Sequence, residues 1–139
     1  MIRVLICDDQ SIVTEGLSVI LRQASDIEVV GVAENGLDVV EQVARLHPDV
    51  VLMDLRMPVM NGIVAVQTLR ERGVTTPIVA LSGFASAEQV AAAMKKGFTD
   101  YLPKPVRKAD VLAMVKKCIQ QYGSRAAERA EEKGGQQHG

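Results

Sequence analysis

The chain has 139 residues, of which 47% are hydrophobic, and 16 Lys and Arg balance 17 Asp and Glu for a net charge of −1. This length predicts one domain, which should bury roughly 68–70% of the surface of the unfolded chain. The balanced charge gives no electrostatic basis for binding nucleic acid or an acidic membrane, so we expect neither as a direct partner. The first apolar run ends at Asp8 and Asp9, which is too short for a signal peptide or a membrane span, and we therefore expect a cytoplasmic protein.

Strand patterns alternate with helix patterns along the chain. The five pairs are residues 4–7 with 12–23, 28–32 with 37–46, 50–54 with 63–72, 78–81 with 86–96, and 100–102 with 108–122. Residues 50–53 and 78–81 are apolar at every position, as expected when helices cover both faces of a parallel sheet. The pattern predicts an α/β fold with a doubly wound, five-stranded parallel sheet of order 2-1-3-4-5, a flavodoxin-like (β/α)5 sandwich.

Within the first helix pattern, one apolar face is predicted from the spacing of Ile12, Leu17, Ile20 and Leu21. After Gly123 the composition changes, since residues 124–133 are Ala, Glu and Arg without an apolar stripe and residues 134–139 are mostly Gly and Gln. We therefore expect the folded domain to span residues 1–122, with residues 123–139 as a flexible polar tail or linker stub.

Polar and charged side chains stand at the ends of four strand patterns. Asp8 and Asp9 follow the first strand, Asp54 ends the third, Ser82 follows the fourth and Lys104 follows the fifth. Because the carboxyl ends of parallel strands lie along one edge of the sheet, we expect these five side chains to converge on one pocket.

The residue types in this pocket indicate metal-assisted phosphoryl chemistry. Three carboxylates held close together disfavour full ionisation, so we expect a raised pKa in the cluster unless a cation binds. Mg²⁺ prefers oxygen ligands, whereas Zn²⁺ favours Cys and His, so the ligand set indicates magnesium. Lys104 and Ser82 gain roles if Asp54 is the nucleophile of a phosphoryl transfer, because an ammonium and a hydroxyl stabilise the charge on phosphoryl oxygens.

The same positions carry the motifs of a known family. These motifs are Cys7-Asp8-Asp9, Met-Asp-Leu-Arg-Met-Pro at 53–58 with Met-Asn-Gly at 60–62, Leu-Ser-Gly at 81–83, Gly97 ahead of Tyr101, and Lys104-Pro105. Together they resemble the receiver domain of two-component response regulators, such as chemotaxis regulators, from Ile2 to about Tyr122. The resemblance implies a module that takes a phosphoryl group from a sensor histidine kinase or a phosphotransfer protein. It implies no turnover enzyme, because such a domain catalyses only its own phosphorylation and dephosphorylation.

Carried over to this chain, the family pattern implies a role for each pocket residue. Asp54 would be the phosphorylation site. Asp9 would bind Mg²⁺ or Mn²⁺ directly, Asp8 would act through metal-bound water, and the backbone carbonyl of Arg56 would be a further ligand. Lys104 would pair with a phosphoryl oxygen, and the Lys104–Pro105 peptide bond would be cis.

The resemblance also implies a switch between the pocket and a distant surface. Ser82 and Tyr101 match the switch pair, in which the hydroxyl moves toward the phosphate and the aromatic ring rotates inward. The surface that changes would lie on the fourth helix, the fifth strand and the fifth helix, at about residues 86–122. We expect it to control a partner or an output domain, and to allow a homodimer.

Two positions depart from a typical receiver pocket. Arg56 lies two residues after Asp54, and Phe84 lies two residues after Ser82, where family members carry side chains that help or block the attacking water. Neither is an acid or amide that orients water well, so we expect both to tune dephosphorylation and the phosphoryl-aspartate to be long-lived.

Two other functional classes fit the residues of this chain less well. A degenerate, phosphorylation-independent dimerisation module would lack a pocket residue, and all five are present. A flavodoxin-like enzyme or carrier would be expected to have a glycine-rich phosphate loop after the first strand, where Asp8, Asp9, Gln10 and Ser11 stand instead.

Overall fold

The computed structural model describes residues 1–83 and 86–123, and within them five strands alternate with five helices. In chain order these are β1 (Ile2–Cys7), α1 (Ser11–Arg22), β2 (Ile27–Ala33), α2 (Gly36–Leu46), β3 (Val50–Asp54), α3 (Gly62–Glu71), β4 (Ile78–Ser82), α4 (Ala87–Lys96), β5 (Asp100–Pro103) and α5 (Lys108–Cys118). A π-helical turn, Ile119–Gly123, continues α5. Phe84 and residues 124–139 lie outside the described residues, so the predicted tail stays a prediction.

The five strands form one parallel sheet in the order β2-β1-β3-β4-β5, which confirms the predicted topology. Every residue of β3 and β4 is buried, because helices cover both faces of the sheet. The chain changes direction across the sheet between β1 and β3, so the carboxyl ends of these two strands border the crevice where such folds bind ligands.

Two apolar cores lie on opposite faces of the sheet. Successive residues of β1 point to opposite faces, so Leu5 and Cys7 pack with α2 and α3, whereas Val4 and Ile6 pack with α1 and α5. The α2 and α3 face also contains Ala93 of α4 and is joined by the half-buried Tyr101 of β5.

The two edges of the sheet differ from its centre. In β2 the register shifts so that Val4 pairs with Val29 and Leu5 pairs with Gly31, which leaves Val30 as a bulge. At the other edge, β5 is 4 residues long and ends at Pro103.

The observed elements begin and end within two residues of the predicted limits, apart from the end of α5, where the π-helical turn replaces regular helix. Side-chain caps fix three of the helix starts, and at α4 the cap is a reciprocal box between Ser86 and Gln89. Asn35 accepts a hydrogen bond from the Asp38 amide, and Asn61 accepts one from the Val64 amide, so α2 and α3 each begin at a glycine directly after the cap.

The apolar face predicted for α1 is wrong at Ile12, whose side chain is 80% exposed. The buried stripe of α1 follows helical spacing through Thr14, Leu17, Ser18 and Leu21. Thr14 and Ser18 fit in this stripe because their hydroxyls donate hydrogen bonds to backbone carbonyls one turn earlier in the helix. Ile12 lies off the stripe and points to solvent.

No helix in the described part of the chain has the length and apolar character needed to cross a membrane. The cytoplasmic location stays a prediction.

Candidate phosphoryl-transfer and metal site

All five strand-end residues identified from the sequence lie together at the carboxyl edge of the sheet. The register explains this, because Asp54 pairs with Leu81 and Ser82 pairs with Pro103, the residue before Lys104. Four of the five border a pocket of about 280 Å³, whose lining consists of Asp9, Gln10, Asp54, Arg56, Ser82, Gly83 and Lys104. The fifth, Asp8, is buried behind it and contacts Lys104.

The Lys104 ammonium joins two buried carboxylates in this pocket. Its Nζ donates to Asp8 Oδ2 at 2.7 Å and to Asp54 Oδ2 at 3.1 Å. The backbone fixes the lysine as well, since its amide donates to the Ser82 carbonyl at 2.8 Å and the following peptide bond to Pro105 is cis, as predicted. Burial opposes the charge of Lys104, but the hydrogen bonds that its ammonium donates to the two carboxylates raise its pKa above the ordinary value.

The Asp54 carboxyl, 7% exposed, has an unusual protonation equilibrium. Burial raises its pKa and the nearby charge of Asp8 adds to the rise, while the Arg56 amide and the Lys104 ammonium oppose it. The Arg56 amide donates to Asp54 Oδ1 at 3.1 Å, so both oxygens of the carboxylate have a donor. The pKa of this residue is raised, as predicted for the cluster, but burial contributes more to the rise than the like charge of Asp8 from which it was predicted.

Three carboxylates in this pocket could hold a metal ion. Asp8, Asp9 and Asp54 each offer an oxygen, and these atoms lie within 4.8 Å of one another. Asp8 is buried and Asp9 is exposed, so the cluster opens toward solvent on one side. Hard oxygen ligands in this number fit Mg²⁺, which keeps part of its water shell. The role predicted for the Arg56 carbonyl stays a prediction.

The two predicted switch residues lie on neighbouring strands. Ser82 is buried at the end of β4, and Tyr101 is half-buried in β5. The Tyr101 hydroxyl donates to the Ser82 carbonyl at 3.4 Å, a long hydrogen bond that places the phenol beside the pocket. The movement of either side chain stays a prediction.

An apolar groove lies beside the pocket, and the sequence patterns did not predict it. It has a volume of about 590 Å³ and shares Gly83 and Lys104 with the acidic pocket. Its other walls come from α1 and from the segment after β5: Ile12, Val13, Gly16, Leu17, Ile20, Pro105 and Val106. One residue could have indicated this groove. Ile12 is apolar but lies off the buried stripe of α1, which suggests an exposed apolar surface.

Comparisons with known proteins agree with this geometry. The family model for the response regulator receiver domain matches residues 4–116. A protein-glutamate methylesterase/protein-glutamine glutaminase of Nocardioides sp. is 41% identical over 112 residues, 79% of this chain and 31% of the relative. The transcriptional regulatory protein LnrK of Bacillus subtilis is 36% identical over 104 residues, 75% of this chain and 47% of the relative.

A solved structure shows the same fold. The signal receiver domain of the response regulator NarL from Mycobacterium tuberculosis has a TM-score of 0.82 and 28% identity, covering 86% of this chain and 96% of that chain. The chain belongs to the response regulator receiver domain family of two-component systems. It covers 31% and 47% of the length of the two relatives above, so their full activities reside in longer chains.

The raised pKa of Asp54 predicts how stability depends on pH. A carboxyl with a raised folded-state pKa costs stability above that pKa, and the cost disappears as pH falls through it. Without divalent metal, we expect Asp54→Asn to raise the melting temperature at neutral pH by about 2–5 °C, and this gain to shrink in mildly acidic buffer. Thermal unfolding followed by circular dichroism across this pH range measures both effects.

Metal addition provides the control for this prediction. Millimolar Mg²⁺ should raise the melting temperature of the unmodified protein more than that of Asp54→Asn, because the amide binds Mg²⁺ less well than a carboxylate. The exposed Asp26, just before β2, is a matched site at which Asp26→Asn should change neither result. A lower melting temperature for Asp54→Asn in metal-free buffer would contradict the assignment of a buried, destabilising charge.

Proposed function

We propose that this domain is a phosphoacceptor. Asp54 receives a phosphoryl group from a phosphohistidine of a sensor kinase or phosphotransfer protein, and the modification changes the surface formed by α4, β5 and α5. The proposal rests on one observation: the buried Asp54 carboxylate shares the Lys104 ammonium with Asp8 and clusters with Asp8 and Asp9. We assign residues 1–122 to this domain and residues 123–139 to a linker or tail.

The contacts of Asp54 support a direct transfer. One Asp54 oxygen attacks the phosphorus atom, an O–P bond forms as the P–N bond breaks, and the bonding electrons leave with the imidazole nitrogen. The Arg56 amide orients the carboxylate before the donor arrives. Lys104 transfers its hydrogen bond from Asp54 to a phosphoryl oxygen while it stays paired with Asp8. Mg²⁺ or Mn²⁺ held by the three carboxylates and the Arg56 carbonyl would supply further positive charge.

The signal leaves the pocket through Ser82 and Tyr101. The Ser82 hydroxyl donates to an oxygen of the new phosphoryl group, and Tyr101 responds because its own hydroxyl bonds the Ser82 carbonyl. Tyr101 packs at the margin of the core that α3 and Ala93 of α4 share, so a rotation of its ring changes the support of the α4-β5-α5 surface. This surface controls a partner or an output domain and provides the site of a homodimer.

The donor protein docks in the apolar groove between α1 and the segment after β5. The groove adjoins the pocket through Gly83 and Lys104, so a protein seated there has its histidine near Asp54. Ile12, 80% exposed, supplies an apolar contact at the rim, and Gly16 has no atom within 4 Å of the Cβ position it lacks, which leaves room for an approaching helix.

The two alternative classes receive less support. A dimerisation module without phosphorylation would not need a buried carboxylate with a raised pKa, which is unfavourable for stability at neutral pH. A turnover enzyme is disfavoured because the contacts of the pocket residues are centred on Asp54, which in this proposal is itself the group that is modified. Methylesterase and transcriptional roles belong to the relatives, and we propose that this domain regulates such an output without binding nucleic acid directly.

Phosphorylation by a small donor tests the proposed function. Incubation with Mg²⁺ and acetyl phosphate should add the mass of one phosphoryl group, measured by intact mass spectrometry. Asp54→Asn should abolish this gain, and the control Asp26→Asn should retain it. Absence of a gain in the unmodified protein would favour the dimerisation module, and multiple turnover of the donor would favour the enzyme.

The lifetime of the phosphoryl group should depend on Phe84. Because neither Arg56 nor Phe84 orients water, we expect slow hydrolysis, and Phe84→Glu should accelerate it about tenfold or more by adding a carboxylate that positions water. The decay of phosphorylated protein after removal of acetyl phosphate measures the rate. Phe84→Ala separates the carboxylate effect from simple removal of the ring. Loss of the phosphoryl group within seconds in the unmodified protein would contradict slow hydrolysis.

A charged side chain in the groove should slow phosphoryl transfer from a protein donor and leave transfer from a small donor unchanged. We expect Ile12→Asp to slow phosphoryl transfer from the most active of the host's histidine kinases by about tenfold, equivalent to about 1.4 kcal/mol, while the rate with acetyl phosphate stays unchanged. Val19→Asp is the matched control, because Val19 is 58% exposed on the same helix but does not line the groove. Equal slowing by both variants, or none by Ile12→Asp, would exclude the groove as the docking site.

A further inference from the structure

Arg70, near the end of α3, joins three segments of the chain at the amino edge of the sheet. Its Nη1 donates to the Val74 carbonyl at 2.9 Å and to the Thr76 carbonyl at 2.8 Å. Its Nε donates to the Gly97 carbonyl at 3.0 Å, and its Nη2 to the Thr99 hydroxyl at 3.4 Å. One guanidinium therefore connects the α3–β4 loop to the end of α4 and the start of β5.

The contact with Gly97 is close as well as polar. Gly97 ends α4 with φ of +126°, and a Cβ placed on it would lie 2.8 Å from Arg70 Cγ. Thr99 adds a second connection, because its hydroxyl accepts from the Ile78 amide at 3.0 Å and its amide donates to the Ile78 carbonyl at 2.8 Å. The carboxyl-terminal end of α4 is thus fixed to both α3 and β4.

The rest of α4 has little packing. Ala93 is its one buried residue, whereas the other helices bury three to five each. A cleft of about 250 Å³ separates its first turns from the phosphorylation pocket, with Gln89 and Ala92 on one side and Arg56 and Ser82 on the other. The amino-terminal half of α4 therefore has space to move, and the end held by Arg70 has none.

We propose that Arg70 makes the carboxyl-terminal end of α4 the pivot of the switch. Phosphorylation of Asp54 then swings the amino-terminal half of α4 relative to the sheet, while Gly97 stays in place. This inference rests on the proposed function, since it requires the phosphoryl signal at Ser82. Arginine suits the task because its planar fork of five N–H donors reaches several carbonyls at fixed angles, which a lysine ammonium on a flexible stem does not.

Electron-spin distance measurements on the full chain test the pivot. One label is placed at Glu41→Cys, an exposed site on α2, and the second at Ala87→Cys or at Lys95→Cys, the two ends of α4. Native Cys7 and Cys118 are buried and remain unlabelled. Distances are recorded with and without Mg²⁺ and acetyl phosphate, and intact mass spectrometry of each sample measures its phosphorylation.

On phosphorylation we expect the distance from α2 to position 87 to change and the distance to position 95 to stay constant. In Arg70→Met the distance to position 95 should also change. Arg72→Met, at an exposed arginine just after α3, is the matched control and should behave like the unmodified protein. If Arg70→Met does not fold, Thr99→Val removes one of the contacts and should broaden the distance distribution to position 95.

The outcomes separate the pivot from the proposed function. Phosphorylated protein in which position 95 moves as far as position 87, or in which neither moves, would overturn the pivot and leave the phosphoacceptor function intact. An unchanged distance to position 95 in folded Arg70→Met would also overturn it, as would an unchanged distance distribution in Thr99→Val if Arg70→Met does not fold. A sample without a mass gain would overturn the proposed function, and the pivot with it.

Discussion

The Lys104 ammonium between two buried carboxylates is the interaction on which the arrangement of this domain depends. Asp8 and Asp54 end neighbouring strands, and their like charges would repel each other in an environment that already disfavours ionisation. Lys104 offsets this repulsion with hydrogen bonds of 2.7 and 3.1 Å. It also connects β5, at one edge of the sheet, with β1 and β3 at its centre, so the same ion pair holds together three strand ends.

The position of Lys104 also relates the pocket to its surroundings. The lysine borders the acidic pocket and the apolar groove, and its amide bonds the carbonyl of Ser82, which in turn accepts from Tyr101. Lys104 is therefore in contact with the groove proposed for the donor and, through the Ser82 carbonyl, with Tyr101 of the proposed output surface. The proposed docking groove and the proposed output surface are separate, but both meet the site at Lys104 or at a residue that contacts it.

The sequence patterns predict the sheet and the pocket well, because each depends on local periodicity and on a rule of topology. Parallel strands with apolar residues at every position indicate burial on both faces, and Asp54 at the end of such a strand must lie at the carboxyl edge. The prediction that Ile12 lies on the apolar face of α1 was wrong, because Thr14 and Ser18 occupy the buried stripe of that helix through hydrogen bonds to the backbone. The contacts of Arg70 could not be predicted from a sequence pattern. Most of its hydrogen bonds are to backbone carbonyls, which every residue possesses.

The two edges of the sheet restrict how this domain can associate with other proteins. An exposed strand can extend its sheet into a neighbouring chain, but a bulge or a proline interrupts the ladder of hydrogen bonds that this requires. β2 carries the bulge at Val30, and the short β5 ends at Pro103. Strand addition is therefore unfavourable at both edges, which favours the helical faces and loops as the surfaces for specific complexes. Those are the surfaces whose side chains can rearrange without breaking the sheet, so recognition can change while the β-sheet scaffold stays the same.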